Sequence, residues 1–137
     1  MKHILVGYDG SEHADKAFAM AADLASKYGA KLEVMSVARP PEPPEMVETE
    51  ALLENAQAHF EQAFAALKTR AEAAGLHPEF TVLVGSPADQ IIHHAHETGA
   101  DLIVLGHRGK SRIARWLLGS ISKRVVSYAD CAVLIVR

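Results

Sequence analysis

A single cysteine, Cys131, stands in the chain, so no intrachain disulfide is available, and its place just before an apolar run reads as a small buried residue rather than a nucleophile. Basic residues are not in excess. Fourteen Lys and Arg against 17 Asp and Glu give a formal net charge of −3, and with both signs interspersed this excludes the basic stripe of a general nucleic-acid or anionic-membrane binder. Long hydrophobic runs are missing as well. The opening run Ile4-Leu5-Val6 is too short for a signal peptide and no stretch approaches a membrane span, so the expected location is cytoplasmic. The phosphate-loop lysine pattern Gly-x4-Gly-Lys-Ser/Thr is also absent.

What is present is 137 residues, 49% of them hydrophobic, enough for one domain over 1–137 with one substantial core. Residues 2–8 form a near-continuous apolar run ending at Asp9-Gly10-Ser11, the pattern of a parallel strand covered on both faces. Ser11 is a good N-cap, and Ala14, Ala17, Phe18, Ala21, Leu24, Ala25 and Tyr28 then recur at helical spacing up to Gly29. Residues 31–37 read as a second strand. The following Arg39-Pro40-Pro41-Glu42-Pro43-Pro44 must be extended or irregular, because proline removes donors and restricts its predecessor.

Leu53, Ala56, Phe60, Ala63, Phe64, Leu67, Ala71 and Ala74 mark a long amphipathic helix. A strand over 79–84 follows, then Gly85-Ser86-Pro87 as turn, N-cap and first helical residue, then a helix with the stripe Ala88, Ile91, Ile92 and Ala95. Residues 101–105 and 132–136 are the last two strands, with a helix over about 120–128 between them. Strand and helix alternate throughout. The expected fold is therefore α/β: an open, doubly wound, five-stranded parallel sheet of Rossmann-like type, order 3-2-1-4-5, with helices on both faces.

Ligands of such sheets bind beyond the carboxyl ends of the strands, where the strand order reverses. Two stretches fit that place, Asp9-Gly10-Ser11 and the passage Gly106-His107-Arg108-Gly109 with Gly119-Ser120 beyond it. Glycines there let a ligand approach the backbone, and free N–H groups at a helix start favour an anion, which suits a polyphosphate. The alternative is that the glycines only make tight turns and Ser120 only caps a helix.

The pattern Gly-x2-Gly-x9-Gly-Ser, the opening Ile4-Leu5-Val6-Gly7-Tyr8-Asp9-Gly10-Ser11, the turn Gly85-Ser86-Pro87-Ala88 and the closing run Leu117 to Ser122 with Cys131 to Val136 together resemble the universal stress protein family, in particular its ATP-binding branch. The resemblance covers essentially the whole chain. It implies that Asp9 lies by the adenosine moiety, that Val37 faces adenine largely through its backbone, that Leu105 and Gly106 line the nucleotide floor, and that Gly109, Gly119, Ser120 and Ile121 surround the phosphates. Arg108 and Lys110 flank Gly109 and, with Arg112 and Arg115, make a local basic stretch; each is either a phosphate partner, worth about 1–3 kcal/mol, or plainly solvated. His107 either stacks, donates or points to water. Ile113, Trp116 and Leu117 have helical spacing and fasten the insert rather than touch adenine.

The implied cofactor is ATP, accompanied by Mg²⁺ held mainly by phosphates and water. The apolar last strand is an edge whose pairing with a second copy gives a homodimer, and an unidentified regulatory protein would read nucleotide occupancy. No catalytic residue is assigned: Ser11, Ser86 and Ser120 read as helix caps, and no base with metal-holding carboxylates can be named for phosphoryl transfer. His93, His94 and His96 diverge around a helix and read as solvent-facing, with only Glu97 near enough to complete a metal set. Two rivals to the ATP-dependent regulator are a slow ATPase and a nucleotide-independent dimeric module recognised through Pro40 to Pro44.

Overall fold

The computed structural model describes residues 1–40, 49–107 and 118–137. The elements run β1 (His3–Gly7), α1 (Glu12–Tyr28), β2 (Lys31–Ala38), α2 (Thr49–Ala73), β3 (Glu79–Val84), α3 (Pro87–Thr98), β4 (Leu102–Gly106), α4 (Ser120–Tyr128) and β5 (Ala132–Val136). All strands are parallel in the order β3-β2-β1-β4-β5, which is the expected topology. The proline stretch beyond Pro40 and the insert residues from Arg108 to Leu117 lie outside the described residues.

The apolar run of β1 is explained by its position. β1 pairs with β2 on one edge and β4 on the other, and side chains alternate between the two faces. Ile4 and Val6 enter a core with Ala14, Ala17, Phe18 and Ala21 of α1 and Leu67 and Ala71 of α2. Leu5 enters the opposite core with Met35, Ile91, Ala95, Ile103, Leu105 and Val125. Thus α1 and α2 cover one face, α3 and α4 the other, and past His3 the β1 side chains Ile4, Leu5 and Val6 are all apolar and buried. Among the described residues no helix is long and apolar enough to cross a membrane.

Helix starts differ in how they are finished. Ser11 caps α1 as expected, its Oγ accepting from the Ala14 amide at 3.1 Å. Ser86 takes the N-cap position of α3 without a side-chain bond. Ser120 is not a cap: Gly119 holds that position and Ser120 is the first residue of α4.

His94 departs from the expectation of a solvent-facing side chain. Its Nε2 meets Glu33 Oε2 at 2.7 Å, while His3 Nε2 meets Oε1 at 3.1 Å and the Thr81 hydroxyl donates to Oε2 at 2.8 Å. Glu33 is buried on β2, and a buried carboxylate is tolerated only when its acceptor positions are filled. Burial pushes its carboxyl up, but hydrogen bonds from His94 and Thr81, together with the charges of His94 and His3, outweigh that and hold it below the usual carboxylate range. His96 pairs with Asp130 at 2.6 Å on the surface, and His93 is exposed. Among the described residues no group of three or more His, Cys, Asp or Glu is arranged to hold a metal ion.

A carboxyl depressed in the folded state adds stability that is complete above its unfolded pKa and is lost as pH falls through its folded one. Melts recorded from about pH 7 to about pH 3 should therefore fall in the window beginning near the ordinary glutamate value of about 4.3 and extending below it. Glu33→Gln should lower the midpoint at neutral pH by on the order of 5 °C and flatten that acid limb. Superimposable acid limbs for the two proteins would remove Glu33 from the account.

Candidate functional site

Beyond the carboxyl ends of the central strands lies a cleft of about 530 Å³, its open mouth included. β1 contributes Gly7 and the residues after it, Tyr8 and Asp9; β2 contributes Met35 and Val37; β4 contributes Leu105 and Gly106. The starts of α3 and α4 close the sides with Pro87, Ile91, Ile121 and Ser122. β1 and β4 are neighbours, and the chain's crossovers run outward from them in opposite directions. The cleft therefore occupies the point where strand order reverses.

Of the residues expected here, Asp9, Val37, Leu105, Gly106 and Ile121 line the cleft together. Gly119 and Ser120 sit beside it at the start of α4, and Arg108 and Gly109 lie outside the described residues. The Gly119 amide is not available to a phosphate, because it donates to the His107 carbonyl at 3.1 Å. The first intrahelical bond of α4 is Lys123 to Gly119. Helix geometry thus leaves the amides of Ser120, Ile121 and Ser122 without an intrahelical acceptor.

Gly106 is explained by packing rather than by ligand approach. A Cβ there would lie 2.8 Å from the His13 carbonyl carbon and 3.0 Å from the Ala14 amide nitrogen, so the glycine admits the first turn of α1 against the end of β4. His107 is buried rather than turned to water, with its ring 6.2 Å from that of His13. Its amide donates to the Val136 carbonyl at 2.7 Å.

The sequence reading missed Gly7, Tyr8, Met35, Pro87, Ile91 and Ser122. Met35 and Ile91 are core-type residues in periodic patterns, and nothing in those patterns tells a core wall from a cleft wall. Ser122 is buried and donates to the Gly106 carbonyl at 3.0 Å, fastening α4 to the end of β4. Its position just past Gly119-Ser120 was the available signal. Burial, then the hydrogen bond from its hydroxyl to Asp15 at 2.7 Å, pushes Tyr8 far above the ordinary phenol range, so it stays neutral.

The helix N-termini at the cleft are electrostatically unequal. The start of α1 is already satisfied: Asp9 Oδ1 accepts from the Ser11 amide at 2.9 Å, Ser11 caps, and Glu12 and Asp15 lie in the first turn. Among the described residues the start of α4 has a glycine cap, no side-chain cap bond and no acidic residue in its first turn, so its positive end suits an anion. Away from the cleft, burial raises the Cys131 thiol first, followed by the charges of Asp130 and Asp101; this is the opposite of an activated nucleophile.

The comparisons with known proteins agree in one direction. The family model described as "Universal stress protein family" matches residues 1–137. A Thermus aquaticus protein, "universal stress protein in QAH/OAS sulfhydrylase 3'region", is 39% identical over 140 residues, covering 99% of this chain and 98% of its own. Universal stress protein UspA from Lactobacillus plantarum superposes with a TM-score of 0.87 at 26% identity, over 99% of this chain and 97% of that one. A universal stress protein solved in complex with cAMP superposes with a TM-score of 0.78 at 30% identity, over 99% and 97% of the two chains.

If Gly106 is dictated by α1, Gly106→Ala should lower stability by about 1–3 kcal/mol, because the obstacle is backbone. Gly7→Ala meets side-chain ends, Leu105 Cδ2 at 2.5 Å and Ile91 Cδ1 at 3.0 Å, which are able to swing aside into the cleft. Denaturant midpoints should rank Gly106→Ala below Gly7→Ala. The reverse ranking would overturn the packing explanation.

Proposed function

This chain belongs to the universal stress protein family, and on that premise we propose that it is an ATP-binding regulatory protein whose nucleotide occupies the cleft between the ends of β1 and β4. The observation that carries the reading is the polarity of that cleft. Its walls are apolar at Met35, Val37, Pro87, Ile91 and Leu105, with one carboxylate, Asp9, on the β1 side and the start of α4 on the other. Adenine lies on the apolar wall against Val37. Asp9 accepts from the ribose or the base and would repel a phosphate, so the phosphates lie toward Ser120, Ile121 and the glycine insert with Gly109, Gly119 and Arg108.

The complex with cAMP of a relative 30% identical to this chain supports an adenine nucleotide as the ligand class. Mg²⁺ accompanies ATP through phosphate oxygens and water. Asp9 and Tyr8 are the ionisable cleft-lining side chains, and Tyr8 is held neutral, which leaves no base paired with metal-holding carboxylates among the described residues. Hydrolysis is accordingly slow, and occupancy rather than turnover is the signal a regulatory protein reads. The free thiol of Cys131 suits a reducing, cytoplasmic setting.

The test is to denature freshly purified protein, identify what is released, and titrate Mg²⁺-ATP calorimetrically into emptied wild type and Gly119→Val. Gly119 has φ −62° and ψ 156°, a conformation open to valine, so the substitution adds bulk at the phosphate end without backbone strain. We expect co-purified adenine nucleotide and at least roughly tenfold weaker binding in the variant. No released nucleotide together with no binding heat would sink the reading.

A homodimer through β5 is part of the same proposal. β5 pairs only with β4 among the described strands, and its sequence Ala132-Val133-Leu134-Ile135-Val136 is wholly apolar, an edge that invites pairing. The Val136 carbonyl faces β4, since it accepts from His107. Backbone groups alternate along a strand, so Ala132, Leu134 and Val136 face β4, while Val133 and Ile135 face the open edge. Ile135→Pro removes an outward donor and should give folded monomers by light scattering; unchanged dimers would eliminate this interface.

A further inference from the structure

Besides Glu33, β2 carries a second buried polar residue. Ser36 lies between Met35 and Val37, which line the cleft, yet by strand alternation its side chain turns to the opposite face of the sheet. It is 0% exposed. A hydroxyl at such a depth is tolerated only with its hydrogen bond made, and the bond it makes is specific: Ser36 Oγ donates to the Tyr8 carbonyl at 2.7 Å.

Tyr8 is the first residue beyond the β1 ladder, whose last pair with β2 is Gly7 with Met35. There the chain must leave the sheet and turn into α1. Three hydrogen bonds fix it as it does so. The Tyr8 amide donates to the Met35 carbonyl at 2.8 Å, its carbonyl accepts from Ser36, and its hydroxyl donates to Asp15 of α1 at 2.7 Å. The Tyr8 carbonyl belongs to the peptide unit from which Asp9 begins. One residue on, Gly10 takes φ 82°, and the Asp9 carboxylate accepts from the Ser11 amide. The orientation of Asp9 in the cleft is thus set by a clamped peptide behind it and a capped helix ahead of it.

We propose that Ser36 is a positioning residue for Asp9: its buried hydroxyl holds the Tyr8–Asp9 peptide so that the carboxylate is presented to the adenosine end of the bound nucleotide. The inference rests on the nucleotide reading of the cleft. Ser36 does not line the cleft, so its influence on a ligand passes through Asp9. Preorganisation of this kind raises affinity because the carboxylate is not ordered anew on binding.

Adenosine and Mg²⁺-ATP are titrated into wild type, Ser36→Ala, Asp9→Ala and the double variant, with thermal melts alongside. Ser36→Ala should weaken both ligands by the same factor, roughly tenfold, since the Asp9 end touches what the two share. In the Asp9→Ala background the same substitution should change affinity less than about twofold, the signature of action through Asp9. Ser36→Thr, which keeps a hydroxyl, should recover most of the loss. Should Ser36→Ala not fold, Ser36→Cys keeps the volume with a weaker donor and takes its place in the cycle. Wild-type affinity in Ser36→Ala, or in Ser36→Cys where it replaces it, overturns the inference and leaves the nucleotide reading standing. A full loss that persists in the Asp9→Ala background also overturns it, because the effect would not pass through Asp9. Failure of wild type itself to bind either ligand overturns both.

Discussion

The placement of β1 between two strands and two helical layers is the constraint on which the rest of this structure depends. Ile4, Leu5 and Val6 are all 0% exposed, and burying such side chains is worth about 1.5–3 kcal/mol each. The same enclosure admits no polar side chain at Ile4, Leu5 or Val6, and the ladder with β2 stops at Gly7. The first polar groups available to a ligand are therefore Tyr8 and Asp9, immediately past that point. Position in the sheet, rather than any catalytic demand, decides where the cleft opens.

That origin also separates two kinds of glycine that look alike in sequence. Gly106 is small because the first turn of α1 presses on it, His13 and Ala14 lying where a side chain would go. Gly119 spends its amide on His107 and caps α4 without a side chain. Gly119 therefore offers no bare amide to a ligand. What α4 keeps is its first-turn donors after Gly119, without a side-chain cap among the described residues because glycine supplies no side-chain oxygen. A serine at 119 would satisfy one of those donors internally and compete with an anion.

The strand order and both helical layers were legible because apolar periodicity records burial on one face or two, and the chain keeps that record with few interruptions. Topology brings the loops after β1 and β4 to one crevice, whereas Asp9, Val37, Leu105, Gly106 and Ile121 as individual site residues came from the family resemblance, and all five line the cleft. What escaped depends on contacts far apart in sequence. Glu33 is a polar interruption in β2 whose partners His3, Thr81 and His94 are 30, 48 and 61 residues away, and His94 sits among neighbours that do face solvent. Ser36 likewise gives no sign that its bond crosses to Tyr8, 28 residues earlier. Periodicity assigns a face to a residue, whereas hydrogen-bond pairing between strands requires the register.

The two ends of the glycine insert meet at His107. Its carbonyl takes the Gly119 amide and its own amide is given to Val136 at the end of β5. Residues 107 and 119 are thereby tied to each other, which removes chain entropy from the loop they bound. The tie also makes one residue, His107, common to the base of the insert and to the outermost strand. Any displacement of the His107 backbone must either break a bond 2.7 Å long or carry Val136 with it, and Val136 belongs to a strand that pairs only with β4 among the described strands. The base of the insert and the end of β5 are therefore coupled through the backbone of one buried residue.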